Sequence, residues 1–222
     1  MTDWDTIIAS PHYAGKRLFP VALDGARYWV KHARGARASE LKHEVRAMRA
    51  VARRGALVPA VVHATDACIV MTDLGETLQR HLERADAQER LRCALLAADA
   101  LGELHAHAGW HGNAALRNLT FSGGRIGMID FESAAHRWLT LNGRQAFDAW
   151  QAIHSLAQFD ERDALIRAFL ERYRPSPPVL RLLRLMAWAL SPAYLLLVPF
   201  TDHLKRDFRQ GVYGVRALLA LR

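Results

Sequence analysis

Residues 104–132 read LHAHAGWHGNAALRNLTFSGGRIGMIDFE, and this stretch decides the fold. A helical apolar pattern runs past His105 and is ended by Gly109. A polar loop follows, His111-Gly112-Asn113, with Asn118 five residues after Asn113. Two short apolar runs, 119–121 and 126–129, flank Ser122-Gly123-Gly124 and predict a small hairpin. The second run ends at Asp130-Phe131-Glu132. A helix, a polar loop, a tight hairpin and a carboxylate therefore follow one another within a short span.

Upstream, residues 17–23 and 27–32 predict two strands, with Asp24-Gly25 as the tight turn between them. Residues 39–52 predict a helix with Ser39 as N-cap and Leu41, Val45, Met48 and Val51 or Ala52 on one face, stopped by Gly55. Residues 58–63 and 67–71 predict short strands, and 72–76 a polar connector. The pattern then turns helical. Residues 77–84 form one short helix and 86–108 a longer one, with Leu91, Leu95, Ala98, Leu101 and Leu104 or His105 on its buried stripe. Beyond the hairpin, 144–159, 161–173, 179–190 and a segment from about 206 onward predict further helices. The order gives an α+β fold: a strand-rich half over residues 1–75 and a helical half over 76–222.

The chain has 222 residues, 51% of them hydrophobic, which supports a sizeable core and argues against global disorder. Cys68 and Cys93 lie in apolar runs and show no disulfide framework or zinc spacing, which fits a reducing compartment. Residues 1–10 carry Asp3 and Asp5 with no basic leader, so no secretory signal is expected. Residues 182–200 are very apolar but contain Arg184, Pro192 and Pro199, which predicts a buried hairpin of helices; contact with a membrane interface is the second reading. The formal charge is +8, and Lys31, Arg34, Arg37, Lys42, Arg46, Arg49, Arg53 and Arg54 face only Glu40 and Glu44 in that region. Such a surface is either a solvated helix face or an attractor of phosphates, acidic lipid head groups or nucleic acid.

Four features carry chemistry together: Lys31 at the end of an apolar strand, Glu44 on the next helix, Asn113 with Asn118, and Asp130 after the hairpin. In this order they resemble the protein-kinase-like superfamily, and in particular its small bacterial members. Those are the Kdo and lipopolysaccharide kinases, the RIO kinases and the small kinase subunit of the tRNA threonylcarbamoyl-modifying complex; aminoglycoside phosphotransferases share the logic. The resemblance spans about residues 17–159. It implies a bilobal fold with a reduced strand-rich N-lobe and a helical C-lobe, binding ATP and Mg²⁺. Lys31 would contact the nucleotide phosphates and Glu44 would hold Lys31. Asp130 and Asn118 would bind the metal. Val70, Met71, Thr72 and Asp73 would meet the adenine in a hinge reaching to Gly75. Asp148 would brace the loop around His111.

Three positions depart from the family pattern. Asn113 stands where the family has a catalytic aspartate, and an amide cannot take a proton as a carboxylate does. His111 and Glu132 are the nearby groups that would have to substitute. Upstream of Lys31 there is no glycine-rich loop, only Gly15 and Gly25. Glu132 replaces the glycine that usually follows Asp-Phe. Only 17 residues separate Asp130 from Asp148, too few for a long activation segment, so a saccharide, a lipid or another small alcohol suits the site better than a peptide.

Two functions stay open: a kinase acting on a small-molecule or envelope-associated alcohol, and a pseudokinase serving as a nucleotide-binding or regulatory module. A third class, a basic nucleic-acid or tRNA-modification accessory protein, rests on charge alone, and no reader motif supports it. The resemblance and the basic surface imply a bacterial, cytoplasmic setting with room for peripheral contact at an anionic inner membrane. His105, His107 and His111 do not converge as metal ligands: the first two point about 200° apart in a helix, and Gly109 interrupts the helix before the third.

Overall fold

A computed structural model describes residues 4–33, 38–131, 138–160, 163–197 and 206–220. Arg34, Arg37, Glu132, Pro199 and Phe200 lie outside the described residues, as does the side chain of Ser39.

A four-stranded antiparallel sheet of order β1-β2-β4-β3 builds the first half. Its strands are β1 (Leu18–Leu23), β2 (Ala26–His32), β3 (Val61–Ala64) and β4 (Cys68–Thr72). Asp24 and Gly25 both take positive φ, 51° and 75°, the twist that a two-residue hairpin needs and that Asp and Gly tolerate. Alternation along the strands gives the sheet two apolar faces. Phe19, Val21, Val30, Cys68 and Val70 form one core with Trp4, sealed by Ile7, Ile8 and Tyr13 from α1 (Trp4–Ile8) and the turn after it. The other face meets α2 (Ala38–Ala52) through Leu41, Val45, Met48 and Val51, the stripe expected from the sequence. This helix begins one residue earlier than expected, so Ser39 sits in its first turn rather than at its cap. Gly55 ends the segment at φ 88°.

The second half is mainly helical. α3 (Leu78–Arg84) is capped by Thr77 Oγ1, and α4 (Ala87–Ala106) by the Asp86 carboxylate. A small sheet of order β5-β6-β7 joins β5 (Glu76–Thr77), β6 (Leu119–Ser122) and β7 (Arg125–Met128). The hairpin was expected; β5 was not, since Glu76 reads as connector and Thr77 as the start of the next helix, and two residues are too few to show alternation. The buried face of α4 corrects the sequence reading. Leu91 is exposed and Leu95 half-buried, while Cys93, Ala94, Ala97, Ala98, Leu101 and Leu104 form the stripe. Small residues there bring α6 (Ala164–Tyr173) close, which a stripe built from leucines would prevent.

α5 (Leu141–Leu156) runs through the middle of this half. It packs against α7 (Pro177–Leu197) and α8 (Arg206–Leu219). Within the described residues 182–197 the expected helical hairpin is not formed, since α7 continues through Pro192 as one helix. Proline removes an N–H from the ladder. The carbonyl of Trp188, four residues earlier, instead accepts the Ser191 hydroxyl at 2.8 Å, so the interruption leaves no orphaned acceptor. No helix among the described residues is long and apolar enough to cross a membrane.

Candidate active site

Alternation on β2 turns Trp29 and Lys31 toward the α2 side of the sheet. Lys31 is 5% exposed and its Nζ donates to Glu44 Oε1 at 2.9 Å and to Asp130 Oδ1 at 3.0 Å. A buried ammonium is tolerated only with such partners. Glu44 is brought there by the α2 stripe, one residue before Val45. Asp130 follows β7 at φ 64°, a left-handed conformation that aspartate tolerates better than most residues. Its side chain remains 42% exposed, unlike those of Lys31 and Glu44. Three groups far apart in sequence thus meet where the sheet and the helical half face each other.

The loop 111–118 is held from behind. Asp148 on α5 is fully buried, and its carboxylate accepts the backbone N–H of His111 at 2.6 Å and of Gly112 at 2.7 Å. Gly112 has φ 94°, which lets consecutive N–H groups converge on one carboxylate. His105 Nε2 lies 3.4 Å from Asp148 Oδ2, and its Nδ1 lies 2.5 Å from the Tyr173 hydroxyl. Gln145 donates to the carbonyls of His105 and Gly109, both at 3.0 Å.

His111 Nδ1 accepts the Asn113 N–H at 3.2 Å, and the ring stacks on Phe131 with centroids 4.5 Å apart. Burial pushes this imidazole below its ordinary range, against the opposing pull of Asp148, Asp130 and the Ile129 backbone. Its Nδ1 is spent on holding the loop. Asn118 is buried and donates from Nδ2 to the Asn113 carbonyl at 2.9 Å, while its own carbonyl accepts the Ile129 N–H at 2.9 Å. That leaves Asn118 Oδ1 as the atom suited to a hard cation, and the Ile129 bond ties Asn118 to the residue before Asp130. Asn113 Oδ1 is buried and accepts no hydrogen bond among the described residues.

At the end of β4, Val70 and Met71 are buried and Thr72 is half-buried, as is Asp73 in the connector that follows. Asp73 was assigned only to the hinge, but it also gathers the strand beside it. Its carboxylate takes the Trp29 indole N–H at 3.1 Å, the Gly75 N–H at 3.0 Å and the Arg27 guanidinium at 3.2 Å. The Arg27 guanidinium also lies over the Trp29 ring, 5.3 Å from its centroid. Trp29 received no role from the sequence. Its position two residues before Lys31, on the same face of a strand, was the available signal.

The chain has the protein-kinase-like fold. It is similar to a solved structure of WaaP in complex with acyl carrier protein, with TM-score 0.51, 18% identity, and 87% of this chain and 84% of that chain covered. A gentamicin–APH(2")-IIa complex gives TM-score 0.52 at 14% identity, covering 94% and 89%. A streptomycin–ATP–APH(2")-IIa ternary complex gives 0.50 at 14% identity, covering 97% of each chain. The family model described as APH, phosphotransferase enzyme family, matches residues 16–110. An uncharacterized protein of Haemophilus influenzae is 27% identical over 133 residues, 54% of this chain. The match spans about half of that relative's length, 55%. The structural likenesses show the fold, and the family match covers residues in the first half of the chain, less than half of its length.

Proposed function

We propose that the chain binds ATP between a lobe of residues 1–75 and a lobe of residues 76–222, and transfers phosphate to the hydroxyl of a small, saccharide or lipid-linked alcohol. The observation that carries this reading is the buried Lys31 ammonium held between Glu44 and Asp130. Phosphoryl transfer is mostly a matter of alignment and charge neutralisation, and an ammonium fixed by a buried carboxylate is built for that. Glu44 keeps Lys31 in place while Asp130, more exposed, exchanges its partner. Met71, Thr72 and Asp73 border the base, with Trp29 as an aromatic wall; Val70, expected there too, is fully buried in the core on the other face of the sheet.

One ammonium facing two carboxylates leaves an excess of negative charge, so the Asp130–Asn118 oxygen pair fits Mg²⁺. The metal would neutralise phosphate charge there. Asn113 Oδ1, an acceptor without a partner, is suited to orient an alcohol hydroxyl. It cannot remove the proton, and the loss of a general base is typically worth about 10²–10⁴-fold. Asn113 is therefore the observation that favours a second reading, a pseudokinase that binds nucleotide without turnover.

The test starts with melting temperature in millimolar Mg-ATP, for wild type and Asp130→Asn. Asparagine keeps the tolerance for the left-handed backbone and removes the charge. A shift in wild type that Asp130→Asn loses supports nucleotide binding; no shift in wild type sinks both readings. Phosphate transfer to a panel including gentamicin and lipopolysaccharide core saccharides then separates them. Turnover by wild type supports the kinase, and turnover by Asn113→Asp alone supports the pseudokinase.

A further inference from the structure

On the side of α2 turned toward β3 and β4 there is a groove of about 250 Å³, whose floor residue Ile69 is the cross-strand neighbour of Lys31. Its floor is apolar: Leu41, Val45 and Ile69 are 2%, 8% and 1% exposed. Its rim is cationic, with Lys42, Arg46 and Arg49. Lys42, Arg46, Arg49 and Arg53 all point to solvent. At about 100° per residue they fall within about 60° of one another, a straight stripe about 16 Å long. The Arg53 N–H still bonds the Arg49 carbonyl, so the helical spacing holds to its end. Lys42 pairs with Asp66 at 2.8 Å. Arg46, Arg49 and Arg53 have no ion-pair partner among the described residues.

We propose that this groove is a docking site for an acidic α-helix of a partner protein. A helix carrying carboxylates at the same four-, three- and four-residue spacing matches the stripe along its whole length, while one apolar side chain enters the groove. A bilayer fits less well, because membrane-binding surfaces present protruding apolar groups beside their cations, and Leu41, Val45 and Ile69 are recessed. Single-stranded nucleic acid fits less well because no aromatic side chain lines the groove on which a base could stack. Glu44 lies on the same turn of α2 as the floor residues Leu41 and Val45 and holds Lys31 at 2.9 Å. An occupant therefore bears on the element that positions that ammonium. This regulatory consequence rests on the proposed phosphate-transfer site; the docking itself does not.

The experiment measures fluorescence anisotropy of a labelled helical peptide of about 16 residues with glutamates at those spacings and a central leucine, without nucleotide. Expected is saturable binding to the full chain, weakened about tenfold or more when the glutamates become glutamines. The double variant Arg46→Glu/Arg49→Glu, with an unchanged melting temperature, should lose the Glu peptide and gain a Lys-substituted one. Equal binding by wild type and the double variant would overturn the proposal. So would displacement of the peptide by phosphatidylglycerol vesicles or an RNA oligonucleotide that binds more tightly. Failure here leaves the Mg-ATP test untouched, and failure there leaves this one untouched.

Discussion

The carboxylate of Asp148 receives the backbone N–H of His111 at 2.6 Å, across 37 residues of sequence and with no exposure to water. One side chain in the middle of α5 thus fixes the loop that carries Asn113. Replacing it by Asn puts an amide where two N–H donors converge, so one donor loses its partner. We expect Asp148→Asn to cost about 2–3 kcal/mol in urea denaturation. An unchanged midpoint would show that the loop holds itself.

Trp29 ties β2 to the connector through Asp73, and in the proposed site its ring would border the base. Trp29→Ala should weaken Mg-ATP about tenfold or more by removing an aromatic wall. Trp29→Phe, which keeps a ring but not the N–H, should lie between the two. The measurement is isothermal titration, and equal affinity in all three proteins removes Trp29 from the site.

Glu89 on α4 is held down to about 2 by Arg92 and then His81; Glu76 is lowered by Arg84 and then His81. A carboxylate depressed in the folded state binds fewer protons there than in the unfolded chain. Its stabilisation is complete above the ordinary value of 4.5 and is lost as pH falls toward 2. Denaturation midpoints measured between pH 6 and pH 3 should fall, and Glu89→Gln should flatten that fall. A variant that keeps the wild-type slope would assign the acid sensitivity elsewhere.

A Cβ at Gly109 would run into the Leu104 side chain and sit 2.8 Å from the Leu104 carbonyl. Gly109→Ala should therefore cost about 1–3 kcal/mol by overpacking the end of α4. Calorimetry decides it; a wild-type melting temperature would mean that the helix end shifts freely.

Much of the fold was legible because its signals are local. Asp24-Gly25 and Gly123-Gly124 mark hairpins by backbone chemistry alone, and the α2 stripe follows the helical period. Lys31, Glu44 and Asp130 were found by order along the chain, and the structure brings their charged atoms together. What stayed hidden depends on partners distant in sequence. The alanine face of α4 makes sense only with α6 against it, since alanine is a weak apolar signal by itself. Proline at 192 reads as a breaker unless Ser191 is seen to satisfy the Trp188 carbonyl. β5 exists because β6 offers it an edge. His111 was considered as a substitute base, and only geometry reveals that its Nδ1 already accepts the Asn113 N–H.

The short helix and turn near the start of the chain close over one whole face of the four-stranded sheet. A shortened protein begun after Tyr13 would offer Phe19, Val21 and Val30 to water as one contiguous sticky plate. Such a truncation should precipitate or self-associate during purification, even though it leaves every residue around Lys31 in place.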